Sequence, residues 1–350
     1  MSRIRRIRRK KPRTGSVWKK LLLWGVLGLL VLAAAAVAGS YLYVRAYLKS
    51  DGFLAMLEQS AVDDMNVETA RIDPLDWDGS GIRCGGVVME GHEFLTSLQA
   101  RNIETEFSRW ELLKRAFVIT SVNIAELKLH LAPVSFRFRE KPEGPRSWAE
   151  ENILPDTFRL EKGSIDSLSV SYGEAGRLYV LDGARVESAY DAGSSQYRFD
   201  VRGGKLLLPF QGCPEFSLMS GTAQFNHSSR RVNIPSCRLT TDAGGYLDIK
   251  GDWDGSSSSW TANVVVNGVP VSSILEDHWR KHVHGSVSGG IDLRGGRDGV
   301  THVAGLARLQ GGMLTGLPVL DRLALFCGSS RFRNLPLHEA SAPVSYTHLR

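Results

Sequence analysis

Three histidines crowd the stretch Asp277-His278-Trp279-Arg280-Lys281-His282-Val283-His284, and His278 and His282 have the i, i+4 spacing that grips a metal from one helix face. A metalloprotease of the H-E-x-x-H type needs a Glu directly after the first histidine, and Trp279 holds that place. Arg280 and Lys281 in the same turn repel a cation, so the stretch reads as a solvated or interfacial helix face. The adjacent carboxylates Asp63-Asp64 and Glu150-Glu151 read as solvated loop charges, because neighbours in sequence are not thereby paired in space for acid–base work. No G-x-S-x-G, Walker loop or G-x-G-x-x-G after a strand occurs. The cysteines Cys84, Cys213, Cys237 and Cys327 form no C-x-x-C pair and fit neither a zinc site nor a dense disulfide framework. Cys213 and Cys237 leave two readings open, a bond between neighbouring strands and a pair of buried thiols. The residue chemistry supports no enzyme and implies no metal or cofactor.

The elements that carry these residues are strands. Leu127, Leu129 and Leu131 alternate with Lys128 and His130, and Val134, Phe136 and Phe138 continue the pattern. The same period of two runs through Leu168, Val170 and Tyr172, through Val186, Ser188 and Tyr190, through Tyr197, Phe199 and Val201, and through Leu206, Leu208 and Phe210. Leu247 with Ile249, then Trp260 to Val266, then Val287 to Leu293 complete the set. Asp182-Gly183, Gly203-Gly204, Gly244-Gly245, Asp254-Gly255, Asn267-Gly268 and Asp298-Gly299 read as the turns between strands. Short alternating strands with outward charges such as Arg137, Arg139 and Asp248 predict antiparallel meanders with one wet face.

Four helical patches interrupt the strands. Ser50 or Asp51 caps a helix with Phe53, Leu57 and Ala61 on one stripe. Trp110 to Ala116 makes one or two turns, Val271, Ile274, Leu275 and Trp279 form another stripe, and Pro318 opens a helix with Leu320, Leu323 and Cys327. Lys141 to Pro145 is the internal boundary, and Ser256 to Ser259 is a polar loop. The last residues, 344–350, look like translated adapter sequence, which suggests a fragment.

Topology comes from the amino-terminal end. Leu21 to Val44 contains no charged side chain, and the twenty residues before it carry ten Lys or Arg and no acid. Twenty-four helical residues span about 36 Å, enough for a hydrocarbon core of about 30 Å. The basic run places the amino terminus in the cytoplasm and the body on the far side. A cleaved signal peptide is the alternative, since Ala36-Val37-Ala38 precedes Gly39 in a small-x-small pattern. Without the ten amino-terminal charges, 33 basic face 37 acidic residues, which argues against nucleic acid as a partner.

The segments Leu98 to Ile103, Trp110 to Arg115, Val122-Asn123-Ile124 and Leu127-Lys128-Leu129 resemble the early strand–short helix–strand module of the AsmA family (AsmA/TamB/YhdP-like envelope proteins of Gram-negative bacteria). Gly311 to Pro318 and on to Phe332 resembles the carboxyl-terminal region of that family. The resemblance implies a mainly β fold, in which a transmembrane helix precedes a long, curled antiparallel sheet with a few short helices and an apolar groove. It also implies an inner-membrane, single-pass protein with a periplasmic body, active in phospholipid transport between membranes and in outer-membrane biogenesis, with an outer-membrane partner. The segments are then 1–20 (cytoplasmic tail), 21–44 (span), 45–140 (membrane-proximal helix and first β module) and 146–343 (continuing groove). Candidate lipid-facing residues are Leu127, Leu129, Leu131, Val134, Phe136, Phe138, Leu168, Val170, Leu206, Leu208, Val264 and Val266. An acyl chain of about 16 carbons loses roughly 13 kcal/mol in water, which such a surface offsets without any catalytic group. A β-sandwich scaffold or assembly factor for outer-membrane proteins is the second reading, and an envelope hydrolase the third.

Overall fold

The alternation produces strands longer than the sequence suggests, and they join one sheet. The computed structural model describes Ala46 and residues 50–347, with breaks at 78–79, 92–93, 109–110, 112–115, 134–156, 175, 210–212, 227, 276, 297–298 and 338–339. The expected span Leu21–Val44, the strand Val134–Phe138 and the boundary at 141–145 lie outside the described residues. Among the described residues no helix is long and apolar enough to cross a membrane. The chain divides into two units, Met1–Phe53 and Leu54–Arg350.

Helix α1 (Asp51–Met65) begins where Ser50 Oγ accepts a hydrogen bond from the Phe53 amide at 3.3 Å, the expected cap. Phe53, Leu57 and Ala61 fall on its half-buried stripe. The strands are β1 (Thr69–Ile72), β2 (Leu75–Trp77), β3 (Gly81–Glu90), β4 (Leu95–Phe107), β5 (Ala116–Leu131), β6 (Thr157–Leu160), β7 (Lys162–Glu174), β8 (Arg177–Asp191) and β9 (Gln196–Arg202). They continue as β10 (Lys205–Leu207), β11 (Phe216–Asn226), β12 (Arg231–Thr241), β13 (Tyr246–Asp254), β14 (Ser259–Pro270), β15 (Val283–Gly296), β16 (Gly299–Thr315), β17 (Asn334–Leu337) and β18 (Ala340–Thr347). Helix α2 (Asp277–Arg280) lies between β14 and β15, and α3 (Pro318–Phe326) between β16 and β17.

Each strand pairs mainly with its neighbours in sequence. β1 and β2 flank one side of β3, and β17 and β18 both pair with β16 at the other end. The sheet is mixed, not purely antiparallel, because β5 runs parallel to β6 and β7. At the first edge, Glu58 Oε1 of α1 accepts a hydrogen bond from the Ile72 amide at 2.9 Å, so a helix side chain satisfies an edge-strand donor.

Three expected turns are not reversals. Asp182-Gly183 lies inside β8 and Asn267-Gly268 inside β14. Gly203-Gly204 breaks one continuing path into β9 and β10, which pair with the same two neighbours, β8 and β11. Gly183, Gly203, Gly204 and Gly268 all have positive φ, the geometry of a bulge as well as of a hairpin. The Val271–Trp279 stripe is also not one helix. It is a 3₁₀ turn, Val271–Ser273, followed by α2, and Ile274 and Trp279 are exposed. Residues 112–115 lie outside the described set, and β5 already begins at Ala116.

Candidate functional site: a continuous apolar face

The registers place one apolar residue per strand opposite the next across nearly the whole sheet. The row runs Leu75, Cys84, Ile103, Ile124, Ile165, Val186 and Val201 from β2 to β9. It continues through Gly221, Cys237, Ile249, Val264, Ile291, Gly305 and Val344 to β18. At about 4.8 Å per strand this is an apolar path of roughly 60 Å. A second row holds Met89, Leu98, Leu129, Val170, Leu181, Leu206 and Phe216. A third holds Leu218, Leu239, Leu247, Val266, Gly289 and Ala307.

Strict alternation would turn half of each strand to the wrong side. A line of two-residue slips prevents it, keeping apolar residues three apart on one face. The slips fall at Gly85-Gly86, Arg101-Asn102, Ala125-Glu126, Asp166-Ser167, Asp182-Gly183, Gly203-Gly204, Met219-Ser220 and Pro235-Ser236. Both members are exposed in β4, β8, β11 and β12, while Asn102 and Gly183 have φ of 51° and 71°. Registers set the slips of β3, β4, β5 and β7 side by side, and those of β8, the β9–β10 break and β11 side by side a few residues along, with the β12 slip displaced again. A bulge bends its strand and adds twist, and these neighbouring slips make a stepped crease across β3 to β12.

Much of the burial lies beside the crease, with Val118, Val269 and Val271 buried elsewhere. On its flanks Cys84 is 7 % exposed, Ala100 5 %, Ala184 0 %, Val186 7 %, Leu218 7 % and Leu239 3 %. Away from it Tyr172, Tyr179 and Trp253 are 41, 39 and 43 % exposed. Among the described residues no large side chain falls below 2 % exposure, as two sheets packed face to face would require.

Of the expected lining, Leu127 and Leu168 share a register position, as do Leu129, Val170 and Leu206. Leu131 stands beside Tyr172, and Val264 and Val266 sit in the first and third rows. Leu208 lies past the end of β10 and packs on the cluster of Phe216, Leu218 and Leu239. The nine described candidates, Leu127, Leu129, Leu131, Leu168, Val170, Leu206, Leu208, Val264 and Val266, are all half-buried. Val134, Phe136 and Phe138 lie outside the described residues. The sequence reading missed Ile103, Ile124, Ile165, Val186, Val201, Ile249 and Ile291 as lining. Their signal was the recurring three-residue spacing, as in Ile124 to Leu127 and Ile165 to Leu168.

The opposite face is polar. Arg83, Glu104, Asn123, Ser164, Glu187, Asp200, Thr222 and Ser236 occupy one unbroken row. Arg238 meets Asp248 through two contacts of 2.7 Å, Asn263 reaches Asp292 at 2.8 Å, and Arg231 reaches Asp254 at 3.1 Å. Hydrogen bonds from the Ser256 hydroxyl and amide, helped by Ser257 and Arg231, hold Asp254 at about 2. The Arg238 and Arg198 guanidinium groups depress Asp248 and Asp200, and the Lys128 ammonium depresses Glu126. A hollow of about 390 Å³ lies around Asn123, Ser164 and Asp200 of this face, and one of about 490 Å³ is lined by Arg231, Asn233 and Asp252 together with Val232, Trp253 and Trp260.

The histidines do not converge on a metal. His282 Nδ1 lies 2.9 Å from the Thr315 carbonyl oxygen, His284 Nε2 is 3.3 Å from Thr315 Oγ1, and the His278 ring stands 5.0 Å from that of Trp279. Among the described residues no group of three or more His, Cys, Asp or Glu could hold an ion. His130 Nδ1 meets Ser171 Oγ at 2.6 Å across the parallel pair β5–β7, a pair invisible in a sequence that separates the two by 41 residues. The four cysteines are free thiols, with Cys84 buried and Cys327 exposed. Burial pushes the Cys84, Cys213 and Cys237 thiols up, with the Asp248 charge adding at Cys237.

Comparison with protein-family models, with curated proteins and with solved structures returned no match.

Proposed function

We propose that the creased apolar face is a trough that shelters lipid acyl chains, and that the chain is a membrane-anchored, non-catalytic lipid carrier of the bacterial envelope. One observation carries the reading: an apolar row from β2 to β18, with its most buried members beside the crease and its margins open. A face of this length with open margins suits a flexible hydrocarbon guest that slides rather than docks at one point. Burying a CH₂ group is worth about 0.8 kcal/mol, and the value does not depend on which row receives it. The uncharged Leu21–Val44 run behind a basic tail supports a single-pass anchor with the body in the periplasm. The resemblance to the AsmA family supports phospholipid as the guest and outer-membrane biogenesis as the setting. A two-sheet sandwich is less well supported, since all eighteen strands join one sheet.

The test is detergent-free recovery of the protein, in membrane nanoparticles and as its released body, with mass spectrometry of the lipid that accompanies the body. Phospholipid in stoichiometric amount supports the reading. A folded body that carries no lipid, and takes none from vesicles, overturns it.

A further inference from the structure

A helix that is apolar on every side needs an apolar neighbour on every side. In α3, Pro-Val-Leu-Asp-Arg-Leu-Ala-Leu-Phe, only Asp321 and Arg322 are polar. The inner side is satisfied, with Leu320 and Ala324 each 6 % exposed. The outer side is not, with Val319 66 %, Leu325 77 % and Phe326 91 % exposed. Val319, Leu323 and Phe326 are spaced i, i+4, i+7 and share one face.

We propose that this outer face lies on the surface of an anionic lipid bilayer. Charge selects the occupant. Across residues 317–334 Arg322, Arg331 and Arg333 outnumber the single acid, Asp321, and Arg333 Nε already stands 3.5 Å from it. Arg322 falls three residues after Val319 and four before Phe326, so its stem lies along the apolar face while its guanidinium reaches lipid phosphate. The adjoining loop brings a second interfacial group. Thr315 Oγ1 donates to the Lys281 carbonyl at 3.1 Å, and nearby Trp279 is 43 % exposed. This contact goes beyond acyl shelter and does not depend on it.

The full chain is reconstituted in phosphatidylethanolamine liposomes, with and without about one-third phosphatidylglycerol, carrying a polarity-sensitive dye on Cys327, the exposed thiol beside Phe326. Peptide mapping verifies that labelling is confined to Cys327. Bromine-substituted acyl chains quench the dye in the anionic liposomes, high salt releases it, and the L325S/F326S variant loses the quenching while its circular dichroism is unchanged. Val264→Glu removes lipid from the trough but leaves the quenching, which separates this contact from the proposed function. A dye that stays in water on both liposomes overturns the proposal. So does shielding that follows protein density instead of lipid charge, which would assign the face to a second copy.

Discussion

Placing a carboxylate at two apolar positions separates an open trough from a packed interior. Val264 is half-buried in the middle of β14, opposite Ile249 and Ile291. Leu239 is 3 % exposed beside the crease, within the cluster of Phe216 and Leu218. In Val264→Glu the lost half-burial costs about 1 kcal/mol, and the weaker strand preference up to about 1 more, because the new charge keeps its water. In Leu239→Glu the carboxylate is cut off from water with no partner, at a cost of roughly 4 kcal/mol or more including the lost packing. At about 2–4 °C per kcal/mol for a body of this size, the first variant melts a few degrees lower and the second on the order of 10 °C lower or not cooperatively. The assay is thermal unfolding followed by circular dichroism, with lipid content of the folded variants measured by mass spectrometry. Val264→Glu is expected to stay folded and lose most of its lipid. If it unfolds as readily as Leu239→Glu, the face is closed core and the trough does not exist.

Gly204 has φ of +87°, and a Cβ there meets Ala184 N and Asp182 O at 2.8 Å. Gly204→Ala should therefore destabilise by roughly 2–3 kcal/mol in chemical denaturation, whereas an open crease without strain would show little change. Asp254 is held at about 2, below its ordinary 3.8, so its contribution is present above about pH 4 and is lost as the pH falls toward 2. Tryptophan emission from Trp253 and Trp260, at the same hairpin, should report opening in that window, and Asp254→Asn should flatten the acid limb. Alkylation without reductant should find four thiols, Cys327 reacting fastest and Cys84 slowest. A Cys213–Cys237 bond in the isolated protein would contradict the free thiols.

The strand regions were legible because a half-buried sheet writes its burial directly into the sequence, as in Leu127 to Leu131 and Trp260 to Val266. The crease was not. Asp182-Gly183 and Asn267-Gly268 have the composition of two-residue hairpin turns, and a positive φ serves a bulge equally well. What distinguishes them is the phase of the flanking apolar residues. Leu181 and Ala184 keep one face in spite of their odd spacing, and this becomes evident only when neighbouring strands show the same slip at the same height. The parallel pairing of β5 with β7 was also out of reach, since strand direction depends on the path of the intervening chain. Pro318 correctly announced α3, but the stripe of Leu320, Leu323 and Cys327 was half wrong. Leu320 and Ala324 are buried, and Leu323 and Cys327 are exposed, because the helix is apolar on both sides and periodicity cannot say which side is covered.

The central claim is that the apolar face, and not the polar one, meets the guest. A photo-crosslinking residue placed at Val264 and, separately, at its neighbour Asn263 on the opposite face tests it in the intact envelope. Illumination should yield a phospholipid adduct at position 264 and none at 263. Protein-only adducts at 264, or equal lipid adducts at both positions, would contradict the account.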